Sequence, residues 1–393
     1  MTLQLAQINP AMLTPIIQRV LDSSDAVLGD WQMSPLPHTV INPVSGGLHR
    51  VSGSAHVGAE TQPWSVILKI MHLPLPHASV EWNSSDDPTH FNYWQREFLI
   101  YQSGLLDQLA EGLAAPRCFQ ALEQPDGSCW LWLEDIHGTL APEWSLERYG
   151  LAARHIGRFQ GSFLIDRSLP TASCLSRGWL QTRVAGFAPH IEQMHEMELW
   201  KHPLLREAFP QPIVERIQRL WNERAHVFAA LDRLPQTLCH LDLYPPNLFA
   251  RQDQQGNDQT VLIDWSFAGM GAVGQDIGNL VPDTLWMMHV PIESLRELEH
   301  FVFNGYAEGL HDVGWHGDVL MLYLGYTAGF ALAYSFLIGW LLKIARDPEA
   351  QGRIEQRWQR PFSAILAQRA PIIYHALDCA DEARLLIDAL GVS

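Results

Sequence analysis

HLDLYPPNLF, residues 240–249, is the stretch on which the reading of this chain turns. Pro245 and Pro246 exclude a helix interior or a central strand, so the stretch is a stiff loop. The loop displays one carboxylate, Asp242, and one carboxamide, Asn247, on a backbone with little freedom. Holding two oxygen ligands at a fixed separation requires such a loop; mere connection does not.

Outward from the loop, LFA and TVLID flank the polar run RQDQQGNDQ, which reads as a β-hairpin. If the two runs pair, Asn247 and Asp264 meet at the open end of the hairpin. Directly opposed residues in such a pair carry Cβ atoms about 4.5–5.5 Å apart. Two hard oxygen ligands at that spacing suit a Mg²⁺ ion that keeps waters or phosphate oxygens. Asp242 then lies beside the metal without being its ligand, free to accept a proton. Asx-rich turns account for any one of these residues, but not for all three with a strand ending in IDW.

A second constellation lies in the first third. SVILKIM is apolar on both faces of a strand, yet Lys69 interrupts it. An ammonium there needs an anionic partner. The chain has only three lysines (Lys69, Lys201 and Lys343) among 26 basic side chains, which sharpens the point. Glu97, bordering the apolar stripe Trp94, Phe98, Tyr101 and Leu105 of a helix expected over 93–109, is the candidate partner. Ser45, Gly46 and Gly47 stand between two expected strands, where glycine lets backbone N–H groups approach a phosphate.

Composition sets outer limits. With 393 residues, 47% hydrophobic and 18% charged, the chain can bury a sizeable core in two lobes. A net charge of −17 excludes a nucleic-acid coat and suits a cationic partner. Five scattered cysteines without CxxC pairing, and an N-terminus without a signal-peptide pattern, predict a cytoplasmic protein with free thiols. VLMLYLGYTAGFALAYSFLIGWLL, 319–342, is uncharged and long enough to span a bilayer. Its glycines, Thr327 and Ser335, and its isolation predict a buried core helix instead, with no membrane partner.

Helical periodicity runs from Pro10 to Leu21, and strands are expected from about Thr39 to Met71: TVINPV, LHRVSGSAHV and SVILKIM. CWLWLEDI is a strand ending at an acidic corner, after which the pattern is mostly helical. The fold class is therefore α+β and two-lobed, with the boundary near Glu134–Gly138.

SGG (45–47), VILK (66–69), WQRE (94–97), LEDI (133–136), HLDLYPPN (240–247), LIDW (262–265) and QDIGNL (275–280) follow one another across nearly the whole chain. Together they resemble the kinase-like phosphotransferases, in particular the aminoglycoside phosphotransferase and choline kinase superfamily. The resemblance implies a bilobal protein-kinase-like fold: a small β-rich N-terminal lobe, 1–134, that binds ATP, and a large, mostly helical catalytic lobe, 135–393. It implies that Lys69, oriented by Glu97, contacts the ATP phosphates beneath the turn of Ser45, Gly46 and Gly47. Asp242 would be the catalytic base, Asn247 and Asp264 the Mg²⁺ ligands, and the backbone near Glu134, Asp135 and Ile136 the adenine site. Asp276 would buttress the catalytic loop. Leu241 departs from the glycine or arginine found in relatives, and IDW resembles the antibiotic-kinase branch more than choline kinases.

GMGAVG, 269–274, matches a dinucleotide fingerprint, but no strand immediately precedes it and no βαβ pattern surrounds it. HIEQMHEMELWKH, 190–202, is not HExxH and reads as a solvated acidic face. The short segment between Asp264 and Asp276 leaves little platform for a protein substrate. A small hydroxylated acceptor is expected, cationic rather than anionic, attracted by Glu192, Glu196 and Glu198 and by Tyr244, Trp265, Trp286 and Trp315. The rival expectation is a nucleotide-binding pseudokinase or interaction protein of the same fold.

Overall fold

The computed structural model describes residues 8–36, 44–73, 84–209 and 211–392. Strands β1 (Val27–Pro35), β2 (Ser45–Val57), β3 (Glu60–Met71), β4 (Leu113–Ala114), β5 (Cys118–Glu123) and β6 (Cys129–Glu134) come first. Five of them form one antiparallel sheet in the order β1-β2-β3-β6-β5. Alternation along β3 divides its side chains between two faces. Val66, Leu68 and Ile70 join Trp64, Phe119, Trp130 and Trp132 beneath the helix Pro10–Val20. Ile67 and Met71 share the other face, and the other cluster, with Phe98, Leu131 and Leu133; Lys69 has the same parity. The helix Pro10–Val20 starts where Asn9 accepts a hydrogen bond from the Met12 N–H at 3.1 Å, and it buries Leu13, Ile16 and Ile17.

One sequence expectation changes, one falls outside the described residues, and one strand was not foreseen. The strand expected over Thr39–Val44 lies outside the described residues except for Val44, which is in a turn. β1 was not legible: it is an edge strand with neither face fully buried, so it lacks clean alternation. The helix expected over 93–109 is only Arg96–Gln102, because Gly104, at φ +71°, turns the chain into a separate 3₁₀ segment, Leu105–Gln108.

Past Glu134 the structure is mostly helical, as the fold class requires. The helices Leu146–Ile165, Gln211–Arg233, Ile277–Trp286, Leu295–Asp312, Val319–Tyr334 and Phe362–Leu390 contribute to one large core. Leu146–Ile165 and Leu295–Asp312 cross backbone to backbone. A Cβ on Gly305 would stand 2.1 Å from the Gly150 carbonyl oxygen. The apolar stretch 319–342 is a helix Val319–Tyr334, a 3₁₀ turn and a second helix Ile338–Arg346. Every residue from Leu324 to Tyr334 is buried.

Small sheets carry the motif residues. β7 is Thr139–Leu140, β8 Gln236–Cys239, β9 Leu248–Gln252, β10 Asp258–Leu262 and β11 Gly269–Ala272. β9 and β10 form the expected hairpin inside the sheet β4-β10-β9-β7. GMGAVG supplies β11, antiparallel to β8, which rules out the βαβ setting of a dinucleotide site. A Cβ on Gly269 would meet the Ser176 carbonyl oxygen at 2.2 Å, so packing accounts for that glycine.

Candidate active site

β8 ends at Cys239, and the chain turns sharply through Leu241, which sits at φ +63° with its side chain fully buried. Such a conformation costs a branched residue about 1–2 kcal/mol. Asp276 holds it in place. Its two carboxylate oxygens accept the His240 and Leu241 N–H groups at 2.8 Å each, and Gln160 donates to it at 2.7 Å. Burial, outweighing these donors, pushes the Asp276 carboxyl up to about 6. His240 donates through Nε2 to the Ile263 carbonyl at 3.0 Å, and its ring lies edge-on to Trp265. Burial pushes that imidazole down to about 4, consistent with the neutral donor.

Asp276→Ala should therefore strand two buried backbone donors, each worth about 1–3 kcal/mol. The expected result is a thermal midpoint lower by several degrees, with Asp276→Asn failing to restore it because its amide group faces an N–H. A midpoint within about one degree of wild type would show that water replaces the carboxylate.

The loop then closes on itself. The Tyr244 N–H donates to the Asp242 carbonyl and the Asn247 N–H to the Tyr244 carbonyl, both at 2.7 Å. Pro245–Asn247 is one 3₁₀ turn. Asn247 Nδ2 donates to Asp242 Oδ2 at 3.0 Å, which fixes the amide and leaves Oδ1 as its acceptor. Burial, with the charges of Asp264 and Asp283, holds the Asp242 carboxyl well above its usual range, against Arg183 and the Asn247 bond. Asp283 is itself pushed up to about 6, by burial.

One detail of the hairpin differs from expectation. Leu248 pairs with Leu262, and the Ile263 N–H donates to the Asn247 carbonyl at 3.0 Å. Asn247 is thus opposite Ile263, and Asp264 is one residue further on. Its left-handed backbone, φ +62°, turns it across the cleft to the sheet. There Lys69 Nζ stands 3.0 Å from Asp264 Oδ1 and 2.5 Å from Glu97 Oε2. Glu97 is buried, whereas the Asp264 side chain is 37% exposed and open to a ligand. Burial alone would lower the Lys69 ammonium, but Asp264 and Glu97 together raise it. Burial raises the Glu97 carboxyl against the pull of Lys69; for Asp264, Lys69 overcomes burial and the carboxyl is lowered. The oxygens of Asn247 and Asp264 are hard donors of the kind Mg²⁺ takes, so the residues present fit that ion.

Ser45, Gly46 and Gly47 are not a free turn between strands. They are the first rungs of β2, with Gly47 paired to Ile70 beside Lys69 and a bulge between Ser45 and Gly47. Gly47 sits at φ +149°, and a Cβ there would be 2.6 Å from His49 Nε2. At the other end, Glu134 closes β6; its carboxylate is held by Arg251 and by the Arg117 N–H at 3.1 Å. Asp135 takes both Arg50 Nε (2.7 Å) and Nη2 (3.0 Å), and Ile136 follows half-buried. A cavity of about 970 Å³ adjoins this linker, lined by Ser52, Ser65, Glu134, Asp135 and Arg251 among others; Lys69, Asp242 and Asp264 are not in its wall.

The residues offered for attracting a cationic acceptor do not converge. Glu192 is exposed, Glu196 pairs with Arg346 at 3.1 Å, and Glu198 pairs with Lys201. Trp265 is fully buried, Trp315 is buried, and Trp286 already carries the Arg369 guanidinium 4.6 Å from its ring centre. Of that set only Tyr244 lies in the 240–249 loop. Sequence reasoning missed Gln160, Arg50, Arg183 and Asp283, whose partners are distant in the chain and follow no local spacing.

Solved structures resemble this arrangement. A choline kinase from Cryptosporidium parvum Iowa II superposes with a TM-score of 0.50 at 13% identity, covering 98% of each chain, which shows the shared fold. The amicoumacin kinase hAmiN, solved with AMP-PNP and Ca²⁺, gives 0.46 at 16% identity over 87% of this chain and 89% of that one. Spectinomycin phosphotransferase APH(9)-Ia, solved with ADP, gives 0.44 at 13% identity over 93% and 99%. Among curated proteins none matches the chain by sequence. The model of the phosphotransferase enzyme family matches residues 61–311, from β3 and its lysine through the 240–249 loop and the hairpin, and the chain belongs to that family.

Proposed function

We propose that the chain transfers the γ-phosphate of ATP, with Mg²⁺, to a hydroxyl of a small molecule. The carrying observation is the bridge of Lys69 to Glu97 and Asp264, formed across the cleft from the Asp242–Asn247 pair. In this reading Lys69, steadied by Glu97, binds the nucleotide phosphates, and Ser45, Gly46 and Gly47 lie over them. Glu134, Asp135 and Ile136 border the base, and Asn247 and Asp264 would hold the metal. A bound Mg²⁺ supplies charge neutralisation of the phosphates. Asp242 takes the proton of the acceptor hydroxyl as its oxygen bonds to phosphorus and ADP leaves. The division into lobes at 134/135 belongs to the same proposal, with the cleft between them.

For the acceptor, Asp242 and Asp283 favour a cationic alcohol, the class to which the choline of the similar choline kinase belongs. Arg183 beside them allows an anionic group elsewhere on the same molecule. The test is a screen of amino alcohols, sugars and antibiotics for Mg²⁺-dependent ADP release and a phosphorylated product. Acceptor KM should change little with ionic strength, because Asp242 and Asp283 are buried and buried charges are screened much less than exposed ones. Tight nucleotide binding without transfer to any alcohol would replace this reading by that of a non-catalytic nucleotide-binding protein.

A further inference from the structure

Resting on that nucleotide reading, we infer that Arg50 lies flat against the nucleobase, held in plane by Asp135. The register of the sheet places it. Leu48 pairs with Lys69 and Arg50 with Ile67, so strand alternation puts Arg50 on the face of Lys69. Two residues separate Ile67 from Lys69, about 7 Å at ~3.3 Å per residue. The step runs toward the linker, because Val66 pairs with Glu134 at the end of β6. A molecule with phosphates at Lys69 and its base at the linker therefore passes beneath Arg50.

The form of the ion pair decides what Arg50 offers such a molecule. Asp135 is buried, with 4% of its side chain exposed, whereas Arg50 is 44% exposed. Asp135 Oδ2 and Oδ1 occupy Nε and Nη2, the guanidinium edge that would otherwise grip a phosphate in the forked manner of arginine. The planar face remains. A planar cation whose edge is satisfied attracts an aromatic ring face-on. Ser52 and Ser65, on the next rung of the same face, are small, and with Asp135 they border the cavity of about 970 Å³. The recognised group is thus the aromatic ring of a nucleobase, read by stacking rather than by its exocyclic groups.

The experiment measures affinity for ATP, GTP and inorganic tripolyphosphate, each with Mg²⁺, by calorimetry. Arg50→Ala should raise Kd for ATP and GTP by a similar factor, roughly 5–30-fold, and leave tripolyphosphate unchanged. Lys69→Ala should weaken all three. Arg50→Lys should recover only part of the loss, since it keeps the charge but loses the plane and the two-point hold of Asp135. Arg50→Ala combined with Asp135→Asn should repeat the result without an unpaired buried carboxylate. Unchanged ATP affinity in the Arg50 variants, alongside a clear Lys69→Ala defect, would overturn the inference and spare the nucleotide reading. An equal loss for tripolyphosphate would put Arg50 on the phosphates and also overturn it. No defect in Lys69→Ala would remove the nucleotide reading and this inference with it.

Discussion

Asp242→Asn should lower turnover by roughly 10²–10⁴-fold, the usual loss when a positioned base is removed, while nucleotide affinity stays within about threefold. The substitution keeps shape and volume. Asn247 Nδ2 now donates to Asp242 Oδ2, and the new amide oxygen can accept the same bond. What disappears is a group that can take a proton. Burial, with the neighbouring charges of Asp264 and Asp283, disfavours the ionised form, so the group is disposed to accept one. Steady-state turnover and calorimetry on the same preparation decide the matter. A variant that kept turnover but lost ATP affinity would assign the base elsewhere and make Asp242 part of the nucleotide site.

The second large effect is expected at Asp264. Asp264→Ala removes an oxygen donor beside Asn247 and the partner 3.0 Å from Lys69. Metal stabilisation of the transferring phosphoryl group is worth several kcal/mol. At 1.36 kcal/mol per decade, turnover should fall by roughly 10²–10⁴-fold. Binding separates this from a general loss of structure. With Mg²⁺ present, ATP affinity should drop, whereas without it affinity should hold or improve, because a carboxylate facing the phosphates is gone. Equal ATP affinity in wild type and variant under both conditions would mean that Asp264 holds no metal.

The candidate site was largely legible because its chemistry imposes local patterns. Two prolines before an asparagine, a lysine inside an apolar strand and an aspartate ending a strand are visible without knowing what each one touches. The hairpin was legible from its turn residues; its exact partner register was not, since hydrophobic runs alone leave a one-residue slip unresolved. That slip is why Asp264, and not Ile263, was set opposite Asn247. Gln160 and Arg50 were illegible for another reason. Each meets its carboxylate across a long stretch of chain, 116 and 85 residues away, and neither alters any periodicity nearby. The acidic segment around Glu196 misled, because its charges are matched by Arg346 and Lys201.

The triangle of Lys69, Glu97 and Asp264 also bears on the order of events. Asp264 shares the one Lys69 ammonium with Glu97, and it can exchange that partner only for another cation. Lys69 likewise leaves Asp264 only for another anion. Lys69 keeps Glu97 throughout, so a cation that took Asp264 would leave the ammonium paired. A metal–triphosphate complex satisfies both residues in one substitution of partners. With one ammonium between two carboxylates the resting triangle carries a net charge of −1, so under the proposed reaction the cleft should favour a cation, or a nucleotide arriving with one, over a bare triphosphate.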